Sequence, residues 1–283
     1  MKVLTYRIHL KAPALLGSLE GDPNASTSLD YLPGSALRGA LIKRYPSSLD
    51  PTDGTVRALF FDGRTRFLNG YPVRFLSPIE GQRALPVPLS FFLEKNEQGP
   101  WYDFSMDPGD PAKAWQPAPS RFAVLDMDDE GVTTAYRLEP ELEMKVHTQR
   151  TSRLLGRAVE GEGAVYRYES LARGQWFEAA ILCDEPGVVT TLRDLLAGRH
   201  RLGSALTGGY GEIEVDTLKE PEKWRECGGE LDTPEDGAFT LTLLSDAIVR
   251  DESGQHAATV GALLHGLRAY IPNGTLSDED AFL

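Results

Sequence analysis

Arg201-Leu-Gly-Ser-Ala-Leu-Thr-Gly-Gly-Tyr-Gly-Glu-Ile-Glu-Val215 holds four glycines in nine positions: Gly203, Gly208, Gly209 and Gly211. Before it, Val188, Val189, Leu192, Leu195 and Leu196 repeat at helical spacing. After it, Ile213 and Val215 alternate with acids, as in a half-buried strand. Glycine admits positive φ and lets a backbone approach another polymer closely. A loop of this kind offers free N–H groups to an anion such as a phosphate. The competing reading is a turn that needs its glycines only for its own geometry. A dinucleotide fingerprint requires a strand before the glycines and a helix after them. The order here is reversed, and the Lys-Ser/Thr pair of a P-loop is missing, so the support for a Rossmann or ATPase reading is weak.

Working outward, residues 2–10 alternate cleanly. Val3, Thr5, Arg7 and His9 fall on one side, and Leu4, Tyr6, Ile8 and Leu10 on the other, which predicts the first strand. A loop rich in Pro, Gly, Ser, Asp and Asn follows to residue 30. Pro33 and Gly34 then make a turn, and Ser35 is placed to cap a helix over about Ala36–Arg44. The start of that helix is an anion site by geometry. Arg38 in the first turn opposes the helix dipole, which points to an acidic partner or a phosphate, or else to a solvated arginine.

Downstream, residues 164–170 and 175–183 read as two strands around a turn at 172–174. Residues 46–130 read as a large insertion poor in regular pattern. Within it, Arg64-Thr-Arg-Phe-Leu-Asn-Gly-Tyr-Pro-Val-Arg-Phe75 interleaves cations with aromatics. That pattern suits stacked bases and phosphates, or a strand pair with Phe67, Tyr71 and Phe75 inside and arginines in water. From Lys145 to Arg157 there is no acid, while Lys145, Arg150, Arg153 and Arg157 are present with His147 and hydroxyls at 148, 151 and 152. This basic island reads as a loop, solvated or in contact with an anionic partner, and contrasts with a formal net charge of −13. A strongly acidic average argues against a nucleic-acid partner through counterion release, but the distribution of charge matters more than the average.

The chain has 283 residues, which suits one large domain or two smaller ones. It has no apolar run of membrane-spanning length, and its first ten residues are too polar to read as a signal peptide. Cys183 and Cys227 have no metal-ligand spacing and read as two reduced thiols of a cytoplasmic protein, with a lone disulfide as the alternative.

Three stretches together resemble the RAMP superfamily of CRISPR systems. They are Tyr31-Leu-Pro-Gly-Ser-Ala-Leu-Arg-Gly-Ala40, the segment from His147 through Leu171, and the glycine loop at 203–211. They occur in the family's order and cover about the first 215 residues. The nearest subgroup in resemblance is the type III-D RAMP that resembles the handle-binding subunit. The resemblance implies an α+β, ferredoxin-like (RRM-like) β-α-β-β-α-β domain over 1–216, with the insertion at about 46–130. A linker would span 217–236, and 237–283 would hold a partial second RAMP-like domain or C-terminal extension, opening with a strand from Phe239 to Arg250. Whether that part is truncated or completed by a neighbour stays open.

The function the resemblance implies is binding of CRISPR guide RNA within a type III effector complex for antiviral defence. Partners would be guide RNA, target RNA through the guide, and other effector subunits, with no membrane. RNA contact would fall to Ser35, Arg38, Lys145, His147, Arg150, Arg153, Arg157, Gly203, Gly208, Gly209 and Gly211. A second reading is an endoribonuclease, with Asp22 or Asp30 in the loop before the helix, or His147, as catalytic groups. Only that reading calls for a cofactor, a divalent metal. His9 is a further candidate base, weighed against a plain strand residue. A third reading is a protein scaffold without RNA contact.

Overall fold

A computed structural model describes residues 1–17, 25–46, 50–77, 80–96, 99–105, 109–128, 131–148, 165–217, 220 and 243–267. The chain begins with β1 (Lys2–Leu10), β2 (Ala25–Ser26), α1 (Gly34–Arg44), α2 (Gly54–Phe60), β3 (Thr65–Phe67), β4 (Tyr71–Phe75) and β5 (Gly81–Arg83). Six short strands follow: β6 (Leu85–Pro86), β7 (Phe91–Glu94), β8 (Tyr102–Asp103), β9 (Trp115–Pro117), β10 (Phe122–Asp128) and β11 (Gly131–Leu138). Then come β12 (Leu142–Thr148), β13 (Val165–Leu171), β14 (Trp176–Cys183), α3 (Val189–Leu196), β15 (Gly198–Arg201), β16 (Glu212–Thr217) and α4 (Val260–Leu267). The chain divides into two units, Met1–Thr240 and Leu241–Leu283.

The first unit is mixed α+β with antiparallel sheets. Its central sheet has β1 in the middle, antiparallel to β14 on one side and to β16 on the other. The far edge of β14 is shared by β3 and β4, and β15 borders β16. The strand order is therefore β15–β16–β1–β14, then β3 and β4. The alternation of β1 explains the layering. Leu4, Tyr6, Ile8 and Leu10 all point to one face and are buried. There they join Phe177, Ala179 and Ile181 of β14 and Ile213 and Val215 of β16. Leu37 and Leu41 of α1, Leu59 of α2, and Leu192 and Leu196 of α3 close this core from above. Each fully buried side chain of this size contributes about 1.5–3 kcal/mol. Cys183 lies in the same cluster as a free thiol, and Cys227 is outside the described residues.

The opposite face of the sheet carries Arg7, His9, Trp176 and Glu178. Arg7 Nε donates to Glu178 Oε2 at 3.1 Å, and the His9 ring stacks on Trp176 with centroids 4.3 Å apart. Burial, and next Lys11, hold His9 below the usual imidazole range.

Four sequence expectations need correction. Ser35 does not cap α1. The helix begins at Gly34, with Pro33 at the cap position and no side-chain cap bond from it. The acceptor comes from far along the chain: Asn69 Oδ1 takes the Gly34 N–H at 2.9 Å. Gly34 sits where a side chain would strike the Phe67 carbonyl, so the helix start is wedged against β3.

Second, the insertion is richer in strands than its pattern suggests. Its β3 and β4 join the central sheet beside β14, where residues 164–170 were expected; β13 instead pairs with β12 and β2 in a separate sheet. The rest of the insertion, together with β11 just beyond it, builds two further three-stranded sheets, ordered β11–β10–β6 and β8–β7–β9. Strands of two to four residues are too short to reveal a period of two. The arginines between 64 and 74 are spent within the chain. Arg64 pairs with Asp62 and Glu185, Arg66 reaches both oxygens of Asp184, and Arg74 lies over the Tyr136 ring at 3.3 Å. Tyr71 is buried between these strands.

Third, Lys145 and His147 lie on strand β12 and not in a loop. Fourth, the described residues from Leu243 to Arg250 form no strand. Alternation needs a partner strand to become one, and the only pairing described there is a single bridge from Arg250 to His256. The helix α4 in this unit was not foreseen. No described helix is long and apolar enough to cross a membrane.

Candidate nucleic-acid interface

The glycine loop leaves β15 at Arg201, passes a 3-10 turn at Leu206–Gly208 and enters β16 at Glu212. Its four glycines divide by role. Gly203 (φ +82°) and Gly211 (φ +80°) lie in the left-handed region, and a side chain at either would strike a carbonyl, that of Leu15 or that of Leu202. Both neighbourhoods are tied down: Ser204 N–H donates to Leu15 O at 2.9 Å, and Gly211 N–H to Pro13 O at 2.7 Å. These two glycines serve the fold of the loop itself. Gly209 (φ +86°) faces open space, and Gly208 meets only the Tyr210 ring at 3.6 Å. The part of the loop open to another molecule is therefore the tip, Gly208–Gly209.

At its base the loop meets the start of α1. A concavity of about 280 Å³ lies between Leu15 and Gly17 after β1, Pro33 and Ser35 at the helix start, and Gly203 and Ser204 of the loop. Ser35 and Arg38 are exposed. Arg38 Nη1 reaches only the Phe60 carbonyl, at 3.5 Å, and pairs with no carboxylate among the described residues. No acid occupies the first turn of this helix of 11 residues. The positive end of its dipole is thus uncompensated by its own sequence.

The loop's other flank meets the hairpin of β12 and β13. His147 Nε2 lies 3.1 Å from the Tyr210 hydroxyl. The His147 and Tyr168 rings are 4.8 Å apart, and Tyr168 meets Tyr210 edge to face at 6.1 Å. Lys145 Nζ sits 5.6 Å from the Tyr210 ring centre and 2.8 Å from Glu143. The hydrogen bond to Glu143 raises the Lys145 ammonium above its usual range. Glu143 Oε1, buried, depends on that ammonium for its one described contact. Sequence reasoning passed over Tyr168 and Tyr210, although an aromatic inside a glycine run was a legible signal.

Two of the predicted stretches, the helix start and the hairpin, thus border the third, the glycine loop. Arg150, Arg153 and Arg157 lie outside the described residues, as does Asp22. Asp30 is buried and accepts Arg121 Nη1 at 2.9 Å, an ion pair with one partner in solvent. Burial raises its carboxyl above the usual range, with Arg121 opposing. No cluster of His, Cys, Asp and Glu fit to hold a metal ion occurs among the described residues.

No family model matches the sequence, and no curated protein matches it. The chain does show likeness to solved structures. A chain of the cryo-EM structure of the type III-B Cmr-beta bound to cognate target RNA is 15% identical, with TM-score 0.43, covering 77% of this chain and 97% of that one. A crystal structure of Cmr4 is 12% identical, with TM-score 0.34, covering 77% and 99%. The oligomeric Cmr4 from Pyrococcus furiosus is 13% identical, with TM-score 0.34, covering 78% and 99%.

Proposed function

We propose that this chain is a guide-RNA-binding structural subunit of a type III CRISPR effector complex. The observation that carries the reading is the Tyr210 contact, because it joins the glycine loop to the hairpin that leads into the basic island. At the base of the same loop lies the start of α1, whose first turn holds no acid. The chemistry suits single-stranded RNA. Tyrosine and histidine rings offer faces to bases, an open glycine tip admits a sugar-phosphate backbone, and arginines meet phosphates.

In this reading the domain of 1–216 is ferredoxin-like. The chain order strand, helix, strand, strand, helix, strand and the sheet order β16–β1–β14–β3 support that assignment. Residues 217–236 act as linker, and 237–283 as a partial second domain or extension. Base pairing reads the target sequence, while this subunit holds the guide's backbone, including its 5′ repeat-derived tag. Other effector subunits cover the acidic remainder in the cytoplasm. The pairing of Asp30 with Arg121 gives no support to that residue as a nuclease group.

The test is to purify the chain with the products of neighbouring genes and sequence the RNA that comes with it. Short RNAs sharing one 5′ tag are expected, with crosslinks to 145–157 or 203–211. Replacing Arg150, Arg153 and Arg157 together by alanine is expected to empty the complex of guide. An intact complex free of RNA, or unchanged guide occupancy in the triple variant, would favour a scaffold without RNA contact. If about five phosphates are neutralised, log affinity should fall against log salt with a slope of about −3.5.

A further inference from the structure

At the other end of α1 from Ser35 lies a second concavity, larger than the first at about 420 Å³. The last turn of α1 and strand β15 build it. Lys43 and Arg44 enter from the helix, Arg199 and Arg201 from alternate positions of the strand, with His200 and Glu212 beside them. Four formal cations face one carboxylate, on a chain whose net charge is −13. Cations in the last turn of a helix are explained by the dipole alone. That explanation covers Lys43 and Arg44 and does not cover Arg199 and Arg201, which belong to another element and line the same hollow.

The internal partners leave the positive charge largely unspent. Arg44 Nη1 donates to the Ala197 carbonyl at 2.6 Å, and Arg201 Nη1 to the Leu206 carbonyl at 3.1 Å. Neutral carbonyls fix the direction of these guanidiniums without cancelling their charge. Arg199 meets Glu212 at 3.3 Å, but its side chain is 71% exposed, and a pair so exposed is weak. Lys43 has no partner among the described residues. Arg44 Nη1 also lies 3.1 Å from His200 Nε2, and that nitrogen lies 2.7 Å from the Leu196 carbonyl. One ring nitrogen can accept from the arginine or donate to the carbonyl, not both.

We propose that this hollow binds a phosphate-bearing ligand, with two adjacent phosphate groups held between Lys43 and Arg44 on one side and Arg199 and Arg201 on the other. Planar guanidiniums match phosphate oxygens two at a time, and two carbonyl-anchored arginines are pre-set for it. The phosphates come from an RNA backbone or from a free nucleotide. The site stands on its own geometry and does not depend on guide binding by the glycine loop.

Calorimetry on the full chain with inorganic pyrophosphate tests it. One site is expected. Arg199→Ala with Arg201→Ala should weaken it by about a hundredfold, at roughly tenfold for each charge-assisted contact. Lys43→Ala, at an exposed position, should weaken it about threefold without changing the melting temperature. Displacement of pyrophosphate by oligouridylate assigns the source as RNA backbone, and displacement by uridine diphosphate alone assigns it as nucleotide. No uptake of pyrophosphate by the wild-type chain overturns the proposal. So does a folded double variant, or a Lys43→Ala chain, that binds as tightly as wild type. Because the readout needs no guide, its failure is distinct from failure of the guide-RNA reading.

Discussion

His147 and Tyr210 meet through an imidazole nitrogen and a phenol oxygen 3.1 Å apart, across 63 residues of chain. The bond holds the β12–β13 hairpin against the glycine loop. Tyr210→Phe keeps the ring on Tyr168 and deletes the hydroxyl. It is expected to cost about 1 kcal/mol of stability, the worth of an ordinary hydrogen bond. Tyr210→Ala also removes the aromatic packing and should cost several times that. Denaturant melts of both variants measure the difference. In the guide-binding reading, Tyr210→Ala also lowers RNA occupancy of the purified complex, whereas Tyr210→Phe lowers it only slightly.

The glycines give a second contrast. Gly211→Ala adds left-handed strain of about 1–2 kcal/mol and drives a methyl into the Leu202 carbonyl. It is expected to destabilise the chain by about 3 kcal/mol or more, read as a large drop in melting temperature. Gly203→Ala should behave likewise against Leu15. Gly209→Ala carries the strain alone, because its surroundings are open. That variant should fold with a loss of about 1 kcal/mol, and any larger fall in RNA binding then reports close approach of the ligand at the tip. Equal melting losses at 209 and 211 would contradict this division.

What the sequence disclosed follows from how each signal arises. The period-two pattern of residues 2–10 and the helical stripe at 188–196 report burial of one face, and the faces observed match them. The glycines signalled a special backbone, but sequence cannot separate a glycine pressed against its own chain from one facing solvent. Gly203 and Gly209 look alike in the text and differ in what stands 3 Å away. The cap of α1 was misread because its acceptor, Asn69, is 35 residues distant. The arginines of 64–74 were ambiguous because their acidic partners, Asp184 and Glu185, come from the turn after β14. The basic hollow was invisible for a similar reason: Lys43 and Arg199 adjoin only once α1 and β15 are packed together.

Tyr6 yields a prediction of opposite sign. Its hydroxyl is buried in the middle of β1 and finds no hydrogen-bond partner among the described residues. Burial accordingly pushes the phenol's ionisation far up, against a small opposing pull from Arg83. A hydroxyl stripped of water without a partner costs about 1–3 kcal/mol. Tyr6→Phe removes that cost and keeps the ring in the core. The variant is expected to be as stable as the wild type or more stable by about 1 kcal/mol, where most core changes destabilise. A loss above about 1 kcal/mol in a urea melt would mean that the hydroxyl has an acceptor.

His200 sets a pH dependence whose sign can be worked out. It is buried beside Arg44, and burial foremost holds its pKa below the free value, with Arg44 adding in the same direction and the Leu196 carbonyl opposing. The unfolded chain therefore takes up a proton near pH 6.5, before the folded chain does. In the window below that value the unfolded state binds more protons, so stability rises with pH. The contribution is fully present above about pH 6.5 and is lost as pH falls through the depressed folded value. His9 is shifted the same way and adds to the slope. Unfolding free energies measured from pH 7.5 to 5 should fall for the wild type. His200→Gln should be less stable at pH 7.5, having lost buried contacts, yet show a shallower decline toward pH 5. A decline as steep as the wild type's would mean that His9 and the carboxylates account for the whole effect.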